Sequence, residues 1–398
     1  MRRGLLSVVL LLALLLTGCS GGENEVTTVI VPTIQKGADN MWMYAVSAGK
    51  ADALLVSVDG HTCLIDAGYG RSMGKIRAAM DMLGVEKLDA VFVTHTDDDH
   101  TEGLEWLAAS DIPVDAWYAS AMFIDVKESK HPAVKAAAVR GQSVNWLQAG
   151  DNVPLGGGVL EVLAPFVLSE DKDDNNSLVM MLRSPEGNIL LAGDIEFPVE
   201  NMLLASGADL KCDVLKVANH ADDDTTGEAF VKAVSPKVAV ICTDSAEKPE
   251  TPDARSVRLL ENVGAKVAVT QECTGGVLVR VSDGEPTVEY INLPEANRSV
   301  KVESVTAGED VIVLHNTGKE VQSLDGWYLI SEKGGEMFIF PQGAVIDPDG
   351  RLTIGTNTTG GAYDLLWDDK KVIHQSKEDI ITLYDGSGMP VSAMSNGK

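Results

Sequence analysis

Basic side chains are scarce in this 398-residue sequence, which has 32 lysines and arginines against 59 aspartates and glutamates. The formal net charge is therefore -27 at pH 7. A chain this acidic repels polyanions at long range, and it lacks the basic surface on which many nucleic-acid-binding proteins depend. The composition therefore disfavours a protein that binds DNA or RNA through a face of lysines and arginines.

Long apolar runs are absent except at the N-terminus. There, Arg2 and Arg3 precede an apolar segment at 5–16, which is short for a membrane span. The segment leads into Leu16-Thr17-Gly18-Cys19, which resembles the lipobox of bacterial lipoproteins. The resemblance implies that Cys19 is diacylated after cleavage of the signal peptide at 1–19, and that residues 20–37 tether an extracytoplasmic protein to the membrane. The alternative is a plain secretory signal with an incidental cysteine.

Cysteine is also rare, with five in the chain and none in Cys-x-x-Cys spacing. Apart from Cys19, they are Cys63, Cys212, Cys242 and Cys273. We interpret these as small buried apolar side chains. An exported protein can form disulfides, and the sequence leaves their pairing open.

Residues 38–293 alternate short β-rich runs with helical patterns. Apolar runs at 53–58 and 62–65 flank Asp59-Gly60, which is typical of a hairpin turn. Residues 72–83 place apolar side chains on one helical face and stop at Gly84. Later strand-like runs are separated by helical patterns and lie at 188–192, 214–217 and 238–242. This order predicts a layered α/β domain.

The run His95-Thr96-Asp97-Asp98-Asp99-His100 directly follows a predicted strand at 89–94. Layered α/β domains usually place their sites at such carboxyl ends of strands. Imidazoles and carboxylates in one short loop suit Zn²⁺ or Mn²⁺, and they could serve two adjacent ions. The alternative is a solvated acidic loop with two surface histidines. Asp98 is expected to be solvated or hydrogen-bonded rather than a ligand, and the histidines outside the motifs are expected to be surface or turn residues: His61, His131, His315 and His374.

Four motifs together resemble the metallo-β-lactamase superfamily across most of residues 40–290. They are Leu64-Ile65-Asp66-Ala67-Gly68, the His95 run with Asp97 in place of a middle histidine, Leu190-Leu191-Ala192-Gly193-Asp194, and Val214-Leu215-Lys216-Val217-Ala218-Asn219-His220. The aspartate at position 97, Asn175-Asn176-Ser177 and Ser235-Pro236-Lys237 are similar to the soluble hydrolase domain of ComEC competence proteins. The resemblance implies an αββα sandwich with two divalent metal ions.

The resemblance also assigns roles to individual residues. One ion would be held by His95, Asp97 and Asp194, and the other by Asp99, His100, Asp194 and His220. Asp66 would orient the ligand loop, Asp99 would orient the attacking water, and Asn175 or Ser177 would face the substrate.

The chain departs from the family pattern in two places, where Asn219-His220-Ala221-Asp222 replaces His-His-Gly-Ser and Glu250-Thr251-Pro252 replaces Gly-His-Pro. A histidine that could touch the substrate or donate a proton is therefore missing, which leaves the rate and the substrate open.

The pattern changes near Leu293-Pro294, and residues 299–398 consist of short β-rich runs punctuated by Asp-Gly turns. This is typical of a β-sandwich. The segments 324–329 and 381–386 resemble the lamin tail domain, which implies an immunoglobulin-like sandwich that serves adhesion, presentation or substrate targeting through a surface ligand. Trp327 and Trp367 are expected in its core.

These expectations combine into an extracytoplasmic, lipid-anchored, metal-dependent hydrolase of a phosphodiester, either DNA or a cell-envelope polymer. One alternative is a hydrolase of C–N or C–O bonds, such as a lactamase or lactonase. The other is a non-catalytic surface binding or adhesion protein with a degenerate hydrolase domain.

Overall fold

The structure, a computed structural model, describes residues 40–123, 127–170, 172–357, 359–369 and 372–398, which belong to one compact unit. The expected signal peptide and tether at 1–37, with Cys19, lie outside the described residues. Within the described ranges, no helix combines the length and the apolar character that a membrane crossing requires.

The first part of the described chain, up to residue 291, contains both helices and strands. Its strands are β1 (Met41–Val46), β2 (Leu54–Val58), β3 (His61–Ile65), β4 (Ala90–Val93), β5 (Trp117–Ser120), β6 (Val144–Leu147), β7 (Asn152–Leu155), β8 (Gly158–Ala164), β9 (Val179–Ser184), β10 (Gly187–Leu191), β11 (Val214–Lys216), β12 (Val238–Ile241), β13 (Lys266–Val269), β14 (Gly276–Ser282) and β15 (Glu285–Ile291). Its α-helices are α1 (Met73–Leu83), α2 (Asp98–Thr101), α3 (Gly103–Ala109), α4 (Pro132–Val139), α5 (Phe197–Ser206), α6 (Glu228–Val234) and α7 (Ala254–Asn262).

These strands form two mixed sheets with the orders β15-β14-β1-β2-β3-β4-β5-β6 and β13-β12-β11-β10-β9-β8-β7. Strands β3 to β6 run parallel in the first sheet, and β10 to β13 run parallel in the second. The two sheets share one apolar core, and helices cover the outer face of each. The predicted αββα sandwich is therefore confirmed.

Both faces of the central strands are buried, which explains why their sequences are continuously apolar. In β1, Met43 lies in the core between the sheets, whereas its neighbour Tyr44 lies in the core beneath the outer helices. The predicted hairpin is confirmed as well, since Asp59 and Gly60 connect β2 to β3 with positive φ angles of 53° and 81°. Gly84 ends α1 in the left-handed conformation, as expected. All four described cysteines are free and buried.

The second part of the chain contains the strands β16 (Val300–Thr306), β17 (Val311–Asn316), β18 (Gln322–Ser323), β19 (Tyr328–Ser331), β20 (Met337–Ile339), β21 (Val345–Ile346), β22 (Arg351–Thr356), β23 (Leu365–Trp367), β24 (Ile380–Tyr384) and β25 (Pro390–Ser395). They form two four-stranded sheets, β16-β17-β22-β23 and β20-β19-β24-β25, and a small pair, β18-β21. Trp327 and Trp367 lie in their shared core, as predicted. This part is a β-sandwich.

The sandwich packs directly on α1 and the loop before it. Tyr328 and Tyr384 stack with ring centroids 5.0 Å apart, and both lie in the apolar cluster that contains Met73 of α1. The Tyr328 hydroxyl donates to the Arg71 carbonyl oxygen at 2.8 Å. Backbones also meet, because a Cβ atom on Gly74 would lie 2.5 Å from the Gly388 nitrogen. The two parts of the chain therefore share one apolar core at this contact.

His131 corrects one expectation from the sequence. It is buried rather than at the surface, with 1% of its area exposed, and its ring packs between Phe123 and Trp146. Its Nδ1 atom accepts a hydrogen bond from the Ala133 nitrogen, so the imidazole caps α4. Burial lowers the pKa of His131 from 6.5 to about 4.

We expect His131→Asn to flatten the acid dependence of stability. The unfolded chain binds a proton near pH 6.5 that the folded chain binds only near pH 4, so the wild type loses stability as pH falls between these values. The difference is about 3 kcal/mol at most. Asparagine can still cap the helix. Urea unfolding of both proteins at several pH values measures the effect, and parallel pH profiles would contradict it.

Candidate metal centre

The predicted ligands converge because four strands end at one edge of the two sheets. Asp66 follows β3 and His95 follows β4 in the first sheet, while Asp194 and His220 follow β10 and β11 in the second. These are parallel neighbours, so their carboxyl ends coincide. All four side chains are buried.

The loop after β3 holds the short helix α2 tightly. The Ala67 nitrogen donates to the His100 carbonyl oxygen at 2.8 Å, and the Gly103 nitrogen donates to the Gly68 oxygen at 2.9 Å. Residue 103 must be glycine here, because a Cβ atom would lie 2.2 Å from the Ala67 oxygen. The position of His100 is therefore determined by the backbone on both sides.

Asp66 orients His100, as the resemblance implied. One carboxylate oxygen accepts from the Thr94 nitrogen at 2.8 Å, and the other lies 2.8 Å from His100 Nδ1. Nδ1 therefore carries the proton, and Nε2 points toward Asp194 Oδ2 at 3.1 Å. Burial alone would lower the pKa of His100, but the Asp194 and Asp66 carboxylates outweigh it and raise that pKa well above its usual value. A carboxylate behind an imidazole is the usual support of a metal-binding histidine.

His95 lies beside His100, with ring centroids 4.1 Å apart. Its Nδ1 atom lies 3.0 Å from the Thr94 hydroxyl and 3.3 Å from the Ser177 hydroxyl. Its Nε2 atom is buried without a hydrogen-bond partner. Burial, and then the charge of His100, lower the pKa of His95. The ring therefore presents a neutral nitrogen lone pair.

His220 is held by an unusual backbone. Asn219, His220 and Ala221 have φ angles of 42°, 52° and 60°, a left-handed run that is costly for residues other than glycine. His220 Nδ1 donates to the Cys242 carbonyl oxygen at 2.7 Å, so Nε2 is the atom that faces the carboxylates of the centre. It lies 3.0 Å from Asp194 Oδ2 and 3.5 Å from Asp99 Oδ2.

Asp97 and Asp99 differ in their surroundings. Asp99 is largely buried, and its Oδ2 lies 2.6 Å from the Lys50 ammonium group. Asp97 is half exposed and lies 4.0 Å from His95 Nε2. Asp98, between them, is exposed, as expected.

Four further charged residues belong to the centre and were not predicted from the sequence: Lys50, Asp52, Asp174 and Lys216. Asp174 Oδ1 lies 3.8 Å from His95 Nε2, and burial together with Asp194 and Asp97 raises its pKa to about 7. Lys216 is fully buried, pairs with Asp52, and lies 3.5 Å from Asp194 Oδ1. The available signals were slight: Asp174 adjoins Asn175, and Lys216 is a charge inside an apolar strand.

The structure does not place Asn175 or Ser177 toward a substrate, contrary to expectation. Ser177 is fully buried, and its hydroxyl contacts His95 Nδ1 and accepts from the Asp194 nitrogen. The Asn175 amide donates to Glu196 Oε2 at 2.8 Å and accepts from the Glu196 nitrogen. Both side chains therefore position neighbouring groups from behind the centre.

The donor atoms form overlapping groups, each within 4.8 Å: His95 with His100 and Asp194, Asp99 with His100 and His220, and His95 with Asp97 and Asp174. His100 takes part in the first two groups. Asp97 belongs to the same group as Asp174, and it shares no group with Asp194. Imidazole and carboxylate donors suit Zn²⁺ and Mn²⁺. The buried Nε2 atom of His95, which has no hydrogen-bond partner among the described residues, also fits a divalent ion, because an unpaired buried polar atom is otherwise costly.

We expect Asp66→Asn to weaken divalent metal binding by about 10–100-fold, as is typical when the support of a ligand is lost. Asp66 accepts through both oxygens, from the Thr94 nitrogen at one and from the Thr94 hydroxyl and His100 Nδ1 at the other. An asparagine has one acceptor oxygen, so its NH₂ group would face one of these donors. Competition with a chelator at fixed pH measures the affinity. Asp98→Asn, an exposed neighbour of the ligands, is the matched control, and equal affinities in the two variants would contradict the role of Asp66.

Residues 46–245 match the family model of the Metallo-beta-lactamase superfamily, and residues 294–398 match that of the Lamin Tail Domain. ComE operon protein 3 of Bacillus subtilis is 26% identical over 189 residues, which cover 48% of this chain and 24% of that protein. Competence protein ComA of Neisseria gonorrhoeae is 25% identical over 207 residues, which cover 52% of this chain and 27% of that protein. The chain thus spans about a quarter of the length of these curated relatives.

Among solved structures, the metallo-beta-lactamase fold protein YhfI from Bacillus subtilis aligns with a TM-score of 0.40 and 11% identity, over 60% of this chain and 99% of that one. The family model, by contrast, covers half of the chain and includes β3, β4, β10 and β11, which carry the clustered imidazoles and carboxylates. The chain therefore belongs to the metallo-β-lactamase superfamily and carries a lamin tail domain after its hydrolase domain.

Proposed function

We propose that this hydrolase cleaves phosphodiesters with two divalent ions, Zn²⁺ or Mn²⁺, on the extracytoplasmic side of a membrane. The observation that carries the proposal is that two donor groups share no residue, one of His95, Asp97 and Asp174 and the other of Asp99, His100 and His220. The Asp194 carboxylate lies near imidazoles of both groups. Two divalent ions held side by side could stabilise both the attacking and the leaving oxygen of a phosphoryl displacement.

The residues of the centre would have two roles, metal binding and orientation of the attacking water. His95, His100, Asp194 and His220 would hold the ions, with Asp97, Asp99 and Asp174 completing the donor sets. Divalent ions bound there would lower the pKa of water and neutralise charge on the phosphoryl oxygens. Asp99 lies at the partly open side of the centre and would orient the attacking water.

The position of Lys50 favours an anionic substrate, because this lysine places a positive charge beside the donor residues. Its ammonium group lies 2.6 Å from Asp99 Oδ2 and keeps about a fifth of its side-chain area exposed. Burial lowers its pKa, but the carboxylates of Asp99 and Asp194 outweigh this and raise it. Lys50 therefore stays protonated, and it would contact a phosphoryl oxygen beside Asp99.

The substrate would be DNA or a cell-envelope polymer. The resemblance of the ligand set to that of ComEC competence proteins favours DNA, whereas the net charge of -27 favours a less densely charged substrate chain. A surface ligand of the lamin tail domain and a lipid at Cys19 would place the enzyme at the membrane.

One experiment separates this activity from the alternatives. The chain from residue 20 onwards, loaded with Mn²⁺ or Zn²⁺, is expected to bind two ions and to hydrolyse bis-p-nitrophenyl phosphate faster than a β-lactam or lactone. His220→Ala should lower the rate of hydrolysis by more than the 10–100-fold that is typical when a supporting residue is lost. Asp174→Ala should lower the bound metal toward one ion, as measured by elemental analysis.

Asp81→Asn is the control for both variants, since its side chain is exposed on α1 and belongs to none of the donor groups. Faster turnover of the lactam or lactone would reverse the assignment. Absence of both metal and turnover would leave the non-catalytic binding protein as the remaining interpretation.

The lipid anchor has its own test. We expect the full chain, expressed in a bacterium with a lipoprotein pathway, to incorporate a labelled fatty acid and to fractionate with membranes. Cys19→Ser should remove the label, because the thioether to the lipid forms on that sulfur. Labelling that persists in the variant would contradict the anchor.

A further inference from the structure

The hydrolase domain and the lamin tail domain together line a cleft of about 590 Å³. Tyr69, Arg71, Asp98, Glu102 and Glu247 form the hydrolase side. The other side is the hairpin at 330–335, between β19 and β20. This volume falls within the range of about 300–1,000 Å³ in which proteins bind small molecules. We call this space the interdomain cleft.

Hydrogen bonds fix the position of the hairpin at 330–335. Asp379 accepts hydrogen bonds from the Ser331 hydroxyl at 3.0 Å and from the Lys333 nitrogen at 3.1 Å. The preceding strand is anchored to the hydrolase domain by the hydrogen bond from Tyr328 to Arg71. Since Tyr328 also lies in the apolar cluster under α1, the wall cannot move away without exposing that cluster.

Short contacts connect the cleft to the metal centre. Glu247 Oε2 accepts from the Lys50 nitrogen at 3.1 Å, and the Lys50 ammonium group reaches Asp99 at 2.6 Å. On the other side, a Cβ atom on Gly335 would lie 3.6 Å from Glu102 Oε1. Glu102 follows α2, which carries Asp99 and His100. The cleft therefore adjoins the helix that carries two of the donor residues, and Asp98 of that helix lines it.

The charges of the cleft are unfavourable to a second phosphate. Arg71 is already engaged, with its guanidinium 2.6 Å from Glu247 and stacked over Tyr69. Lys333 is exposed and makes no ion pair with any residue that the structure describes. Asp98, Glu102 and Glu332 leave carboxylates in excess, and like charges at close range are strongly repulsive.

We propose that the lamin tail domain forms the second wall of the substrate cleft, and that this wall selects phosphodiesters whose flanking group is uncharged or cationic over polynucleotides. The choice among phosphodiester substrates rests on the proposed phosphodiesterase activity. The assignment of the interdomain cleft as a binding site does not depend on that activity. The domain then acts in substrate choice at the reaction centre itself. Glu332 and Lys333, at adjacent positions of the hairpin, set the preference in opposite directions.

The experiment measures equilibrium binding of two probes to the metal-loaded protein by calorimetry. Both contain one phosphodiester: glycerophosphoethanolamine adds an ammonium group, and the dinucleotide pTpT adds a terminal phosphate. We expect the wild type to bind the ethanolamine probe more tightly. Glu332→Lys should shift the ratio of the two dissociation constants toward pTpT by about fivefold or more, and Lys333→Glu should shift it the other way.

Glu309→Lys is the matched control, because it makes the same charge change at an exposed position of this domain outside the cleft. An equal shift in Glu309→Lys would assign the effect to net charge and overturn the proposal. Unchanged ratios in both hairpin variants, or no binding of either probe, would also overturn it. Hydrolysis of the probes is followed separately. If the ratios shift as expected and neither probe is cleaved, the cleft assignment holds and the phosphodiesterase fails.

Discussion

The carboxylate of Asp194 contacts two imidazoles at the point where the two sheets of the hydrolase domain meet. His100 approaches the same oxygen from the first sheet at 3.1 Å, and His220 approaches it from the second at 3.0 Å. A buried carboxylate is stable only with opposite charge or a cation nearby, since desolvation costs several kcal/mol. Lys216 therefore lies behind it, and Asp52 in turn pairs with Lys216. At this edge of the sheets, the charge of Asp194 is therefore balanced by Lys216, and the charge of Lys216 is balanced by Asp52.

This arrangement explains why part of the centre could be predicted and part could not. His95, His100 and Asp194 follow apolar strands in motifs whose order along the chain reveals them. Asp174 and Lys50 belong to no such pattern. Their closeness to the centre results from the packing of loops that are distant in the chain, and an isolated lysine or aspartate in a loop is ordinarily solvated.

The same distinction applies to the fold. Period and turn residues identified strands such as β2 and β3, the helix α1 and the hairpin at Asp59, because these depend on neighbours in the chain. The burial of His131 depends on Phe123 and Trp146, which the sequence alone does not bring together. The contact of Gly74 with Gly388 is likewise hidden, since a glycine at a close approach looks like any other glycine.

The shared apolar cluster under α1 has a consequence for how the chain is made. Met73 and Ile76 are synthesised well before Tyr328 and Tyr384, which lie in the same cluster. During synthesis, the hydrolase domain therefore carries an uncovered apolar patch until the lamin tail domain has emerged from the ribosome. Exposed patches of this kind attract chaperones and promote aggregation. Completion of this part of the hydrolase core therefore waits for the lamin tail domain rather than for the last strand of the hydrolase domain itself.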